Sequence, residues 1–327
     1  MIQPTSWLRR CAGPLLLLAA INAPDSWAAD YPTKAIRIIS PVPAGGLSDI
    51  TLRPMAQELS RRIGQPVIVD NRPGAGGVIA GRACAQAAPD GYTICNVFND
   101  VINNAPYLFK AIGYDPKNDF VPITNVYAII TSFLVTPSLG VNTLPELIEL
   151  SKKQPGGINV GSPSTGATMF IRDFNNLTGS KFEPIPYKSG GEVATALLTN
   201  SVQVGTLGIG NLVPQIRAGN FKVIAVDSMT RSPLLPEVPT LKELGLDHIR
   251  IQTWYGFMAP KGTPAPIVKK LHDEILAVYS DRALRENTLV NAGLEPLLNT
   301  PEEFARQLTV IDEKTAAMVQ RLGVKPE

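Results

Sequence analysis

Histidine is nearly missing from this 327-residue chain, with only His248 and His272 present. A hydrolytic triad needs a serine, a histidine and an acid brought together. His272 sits beside the apolar face of a helical pattern, where a structural role is expected. Cysteine is scarce as well, at three residues, and none stands at metal-ligand spacing from a histidine. Charge of either sign is thin: 18% of residues are charged and the formal net charge is +2. That balance points away from nucleic acid and from an anionic membrane surface as partners. Internal repeats and low-complexity segments are lacking, and no stretch beyond the N-terminal region looks transmembrane. Two nucleotide-binding signatures also fail. Gly161 to Thr168 has glycines at P-loop spacing, but Ala167 stands where the essential lysine belongs. Gly74-Ala75-Gly76 lacks the third glycine of a dinucleotide fingerprint, because Ile79 occupies its place.

What the chain does have begins with a leader. Arg9 and Arg10 precede the apolar run Ala12 to Ile21, and Ser26-Trp27-Ala28 offers small residues at the two positions a signal peptidase reads. Residues 1–29 are therefore read as a signal peptide, and the mature chain as exported, starting near Ala29 or Asp30. Cys11 precedes the apolar run, which speaks against a lipoprotein anchor, and it leaves with the leader. Cys84 and Cys95 remain, on a helix end and in the next strand. In an oxidising compartment they could pair, or they could stay as two buried thiols.

The chain is organised around residues 35–49, AIRIISPVPAGGLSD. Ile36, Ile38 and Ile39 suit one buried strand. Pro41 and Pro43 stop it, Gly45 and Gly46 free the turn, and Ser48 and Asp49 are suited to cap a helix. A turn of this kind aims unpaired N–H groups and the positive end of a helix dipole at one point, which suits an anion. An ordinary strand-to-helix connection has the same sequence.

The helix that follows carries Leu52, Met55, Leu59 and Ile63, with Gly64 as its stop, and Pro54 predicts a bend or a late start. Strands are expected over 66–70 and 92–97, with a helix to about Ala87 between them, and 120–135 is largely β-prone. A second alternation follows. Thr143 and Glu146 read as a capping box, and strands are expected over 158–161, 183–187, 202–207 and 221–226. Residues 249–258 form a strand-like return. Helices then begin at Pro264 and, with a capping box, at Thr300. Two α/β sets and a return segment suggest two domains with a cleft between them, a common place for a ligand.

The motifs PVPAGGLSD at 41–49, NRPGAGG at 71–77, PDGYT at 89–93, Tyr187-Lys188 and Trp254-Tyr255-Gly256 resemble, in order and over nearly the whole mature chain, the Bug family. Its members are periplasmic solute-binding proteins of tripartite tricarboxylate transporters. The resemblance implies an α/β, two-domain type II periplasmic-binding-protein fold, with residues 30–130 and 256–327 in domain 1 and 131–255 in domain 2. It implies a monomer, without cofactor or metal, that holds a small organic carboxylate in the interdomain cleft. By position, the first turn contributes Pro41, Ala44, Gly45, Gly46, Ser48 and Asp49, chiefly through backbone N–H groups and Ser48. Asp49, being acidic, is better suited to a cap than to contact. The second domain contributes Ser162, Ser164, Thr165, Gly166 and Thr168, with Tyr187 and Lys188 following a strand end. Phe170, Gln203 and Leu207 depart from the residues frequent in the family, which predicts a less polar distal pocket and a ligand with an apolar or aromatic end. The partners implied are the permease subunits of such a transporter, onto which the hinge-closed form docks. A sensory receptor for the same ligand is the rival use, and an α/β enzyme the rival of another class.

Overall fold

The computed structural model describes residues 31–249 and 253–326, so the expected leader lies outside the described residues. The strands gather into two sheets. The first has the order β2-β1-β3-β10-β4-β11, built from β1 (Ile36–Ser40), β2 (Val67–Asn71), β3 (Thr93–Phe98), β4 (Phe120–Ile129), β10 (Trp254–Pro260) and β11 (Leu294–Pro296). The second has the order β7-β6-β8-β5-β9, from β5 (Thr131–Val135), β6 (Asn159–Ser162), β7 (Glu183–Pro186), β8 (Val204–Gly208) and β9 (Lys222–Asp227). We call each sheet with its helices a lobe.

β1 runs parallel to both β2 and β3, as helical crossovers require, whereas β10, β4 and β11 are antiparallel to their neighbours. The β-prone run 120–135 is two strands in different sheets, divided at Ile130. Nothing in its alternation marks that division, because both halves are buried. The chain returns before Trp254, and the crossings touch where the Ile129 N–H donates to Thr253 O at 2.8 Å. A third segment backs them: Ile130 N–H reaches Gly293 O at 3.3 Å, and a Cβ on Gly210 would stand 2.0 Å from Ala292 O.

Helix α1 (Leu47–Ile63) begins well before Pro54 and runs on through it, so the late start that proline suggested does not occur. Its buried face of Leu52, Met55, Ala56 and Leu59 anchors it, and the acceptor that Pro54 leaves unused is the carbonyl of Ile50, an exposed residue that water can reach. The remaining helices are α2 (Val78–Ala85), α3 (Ala105–Leu108), α4 (Leu144–Lys153), α5 (Thr165–Thr178), α6 (Gly190–Leu198), α7 (Val213–Arg217), α8 (Ala265–Ser280), α9 (Arg282–Arg285) and α10 (Pro301–Leu322). Thr300 and Glu303 form the expected capping box on α10. On α4 Thr143 accepts from the Glu146 N–H, but the Glu146 carboxylate takes the amide of Asn142 instead of closing the box. Cys84 on α2 and Cys95 on β3 are joined, Cα atoms 6.1 Å apart, in a core cluster with Val97, Val101, Trp254 and Phe304. Among the described residues, no helix is long and apolar enough to cross a membrane, and no three potential metal ligands gather.

Candidate functional site

In open α/β sheets the crevice beyond the carboxyl ends of the strands is where loops converge on a ligand. Both turns singled out in the sequence lie there, after β1 and after β6.

In the first turn the ladder ends at Pro41, Gly45 adopts φ +82°, and Gly46 is the helix N-cap. Neither Ser48 nor Asp49 caps α1, since both lie inside its first turn. The Asp49 carboxylate instead staples the loop. It accepts from Gly45 N–H (2.9 Å), Arg53 Nε (2.8 Å) and Asn71 Nδ2 (2.9 Å), and Asn71 Nδ2 also donates to Val42 O. Burial opposes its ionisation, yet these donors outweigh burial and hold its carboxyl below the ordinary range. The carboxylate is thus committed within the lobe. The amides of Leu47 and Ser48, at the start of α1, have no intrahelical acceptor.

Ser48 is buried with its hydroxyl near the phenols of Tyr127 on β4 and Tyr255 on β10, and the Tyr127 phenol lies 3.4 Å from Thr51 Oγ1. Those rings stack, with Phe98 on the other side of Tyr255: successive centroids are 5.2 Å apart and interplanar angles 13° and 20°. Burial pushes the Tyr127 phenol up to about 12 and raises Tyr255 further, so both remain neutral donors at physiological pH.

In the second turn Ser164 is the N-cap of α5, accepting from Ala167 N–H at 3.1 Å. Ser162 is buried at the end of β6. Its hydroxyl lies 2.7 Å from Thr168 Oγ1, which donates to Ser164 O. Three of the hydroxyls named from the sequence are therefore used inside the turn. The amides of Thr165 and Gly166, in the first turn of the helix, are its outward donors. Tyr187 is half-buried against the core of the second lobe, and exposed Lys188 gives its N–H to Glu192 just before Ser189 caps α6.

Between the two turns stand Tyr255, quoted in the sequence as part of a family motif, and Asp100, which the motif reading missed. Ser48 contacts Tyr255, the Tyr255 phenol lies within electrostatic reach of Asp100, and Asp100 faces Gly166 across the lobes. A Cβ on Gly166 would stand 3.1 Å from both Asp100 Oδ1 and Asn104 Nδ2. Asp100 follows β3 at its carboxyl end, so the rule that singled out the other two turns would have found it.

The predicted apolar pocket loses its basis. Phe170 lies in a core cluster with Phe133 and Phe174, and Leu207 is buried in another. Gln203 precedes β8, at the end of the sheet away from Ser162, and its side chain accepts from Asn159 N–H. These positions read as ordinary core and strand-entry chemistry once the strand directions are known. A cavity of about 390 Å³ near Val135, Phe221 and Lys222 also lies at that far end.

The profile of the tripartite tricarboxylate transporter family receptor matches residues 51–324. The chain belongs to this receptor family. It is similar to Protein BugT of Bordetella pertussis, 32% identical over 96% of each chain. Among solved structures, periplasmic binding protein BugD is 31% identical with a TM-score of 0.76, covering 91% of this chain and all of its own. R. palustris Rpa4515 with adipate is 27% identical with a TM-score of 0.79, covering 91% of this chain and 100% of its own. The fold is that of these two-domain binding proteins, and as a family member the chain is a solute-binding receptor rather than a permease subunit. Its two histidines fit no triad: His248 is exposed, and His272 is buried on α8 beside Asp273.

Proposed function

We propose that this receptor captures a small organic carboxylate in the periplasm, between a domain of residues 30–130 and 256–327 and one of residues 131–255. It then presents the carboxylate to the membrane subunits of a tripartite tricarboxylate-type transporter. The observation that supports the reading is that a helix N-terminus follows the carboxyl end of a strand in each lobe, α1 after β1 and α5 after β6. Each offers two backbone N–H groups without intrahelical acceptors, and together they oppose a carboxylate with partial positive charge and no lysine or arginine. The adipate bound by R. palustris Rpa4515 supports that ligand class.

The binding contacts in this reading are the amides of Ala44, Leu47 and Ser48, with Pro41, Gly45 and Gly46 as the frame of the turn because the Gly45 and Gly46 amides are donated within it, and the amides of Thr165 and Gly166. Ser162, Ser164 and Thr168 shape the second turn, Asp49 holds the first, and Tyr187 and Lys188 line the approach before α6. The chain works as a monomer and binds without catalysis. The leader of residues 1–29 delivers it to the periplasm.

The test is a thermal-shift screen of the mature chain against mono-, di- and amino-carboxylates. A ligand at a hundred times its Kd stabilises the folded state by about 2.7 kcal/mol, which is readily seen as a rise in melting temperature. Failure of every small carboxylate to raise it overturns the reading.

A further inference from the structure

Asp100 is a carboxylate that faces the start of α5 from the other lobe. It starts the helical turn after β3, next to Asn99, and points its Oδ1 at Gly166 in the first turn of α5. Gly166 is not in a left-handed conformation, so its backbone does not demand glycine. What it supplies is room, because a Cβ there would press on Asp100 and Asn104. Among the described residues, Asn104 is the hydrogen-bond donor to Asp100, and no lysine, arginine or histidine pairs with it. The Asn99 Oδ1 atom, one residue earlier, is buried and has no partner. A carboxylate with one donor thus stands against the start of α5, and a second acceptor without a donor is its neighbour in the chain.

We propose that Asp100 is the residue that sets ligand charge, selecting carboxylates that also carry a protonated amine over plain mono- and dianions. The inference rests on the carboxylate reading above. The ligand carboxylate takes the amides of the turns, and its ammonium donates to Asp100, and to Asn99 where it reaches. A plain dianion would place a second negative charge against the Asp100 carboxylate in a cleft of low dielectric, where like charges repel strongly. Burial pushes the Asp100 carboxyl up to about 6, against the hydrogen bond from Asn104. At pH 8 the group is still ionised, so the selection operates there.

The experiment titrates matched acids into the mature protein by calorimetry at pH 8. L-aspartate is compared with succinate, L-glutamate with glutarate, and L-leucine with 4-methylpentanoate. For every pair that binds, the wild type is expected to favour the amino acid at least tenfold. Asp100→Asn and Asp100→Ser are expected to bring the ratio close to one, weakening the amino acid and tightening its desamino partner. Circular-dichroism melts identify a variant that has not folded, and the wild-type ratio decides the question alone in that case. A wild type that binds the desamino acid equally or better overturns the proposal, as does a folded Asp100→Asn that keeps the tenfold preference. If no member of any pair binds, the carboxylate reading itself falls, and Asp100's role with it.

Discussion

The carboxylate of Asp49 accepts three hydrogen bonds and is almost wholly buried, so its charge is part of the architecture of the first turn. Its carboxyl is held below the ordinary value in the folded state, so the unfolded chain binds more protons as the medium turns acid. The associated stability is complete above the ordinary carboxylate pKa of about 4 and is lost as pH falls toward the folded value. Asp49→Asn is expected to cost about 2 kcal/mol near neutrality, because charged hydrogen bonds are replaced by weaker ones. Urea midpoints of the two proteins, measured from pH 7 downward, should converge in acid. A gap unchanged by pH would contradict the assignment. The disulfide is a second effect at this scale. Cys84 and Cys95 close a short loop, and Cys84→Ser with Cys95→Ser is expected to lose about 3 kcal/mol of stability through chain entropy, read by urea unfolding without reductant.

At the scale of elements, helix starts decide what the site is. Ser164 caps α5, and Ser164→Ala should cost about 1 kcal/mol. It should also weaken carboxylate binding more than the same change at Ser189 on α6, since the start of α5 meets Asp100 and Asn104 of the opposing lobe. Affinities of the two variants for one acid, measured side by side, check this. The β-strands illustrate a different point. Residues 120–135 form one apolar run in the sequence, and whether it is one strand or two is set by which sheet each half pairs with. That pairing is decided by β10 on one side and β8 and β9 on the other, far away in the chain. Pro54 shows the same override: its local preference for a break yields to the packing of Met55 and Leu59.

At the scale of the whole molecule, the lobes touch at several places besides Asp100 and Gly166. At the crossings Gly210 abuts the backbone of Ala292 so closely that Gly210→Ala is expected to cost about 2–3 kcal/mol, measured as a lower urea midpoint. Farther out, Arg321 on α10 makes a two-pronged bond to Asp173 on α5, at 2.9 and 2.7 Å, with Asp173 buried and Arg321 partly exposed. The pair clasps the C-terminal helix of the first lobe to the helix that carries the second anion turn. Arg321→Ala should loosen that clasp. Without ligand, small-angle scattering should give a larger radius of gyration than the wild type, and affinity for any bound carboxylate should fall. An unchanged radius and affinity would show that the pair plays no part in closure.

Sequence alone determined most of the strands and helices, the two turns at the starts of α1 and α5, the Thr300 cap and the family likeness. These depend on neighbouring residues: periodicity, proline and glycine at strand ends, and hydroxyls before helices. Tertiary structure decided which of the turn's polar groups remain outward. Ser162 and Thr168 look like outward hydroxyls in the chain, but they bond each other and the carbonyls of Ile185 and Ser164. Phe170 and Leu207 look like pocket walls, and the buried face of α5 and the inward face of β8 turn them into the core. Asp100 carries no motif and gains its place only because two sheets, separate in sequence, bring it against Gly166. The reason is physical. A hydrogen-bond donor or acceptor is available to a ligand only after the rest of the fold has taken what it needs, and those competing partners come from segments that local sequence does not join.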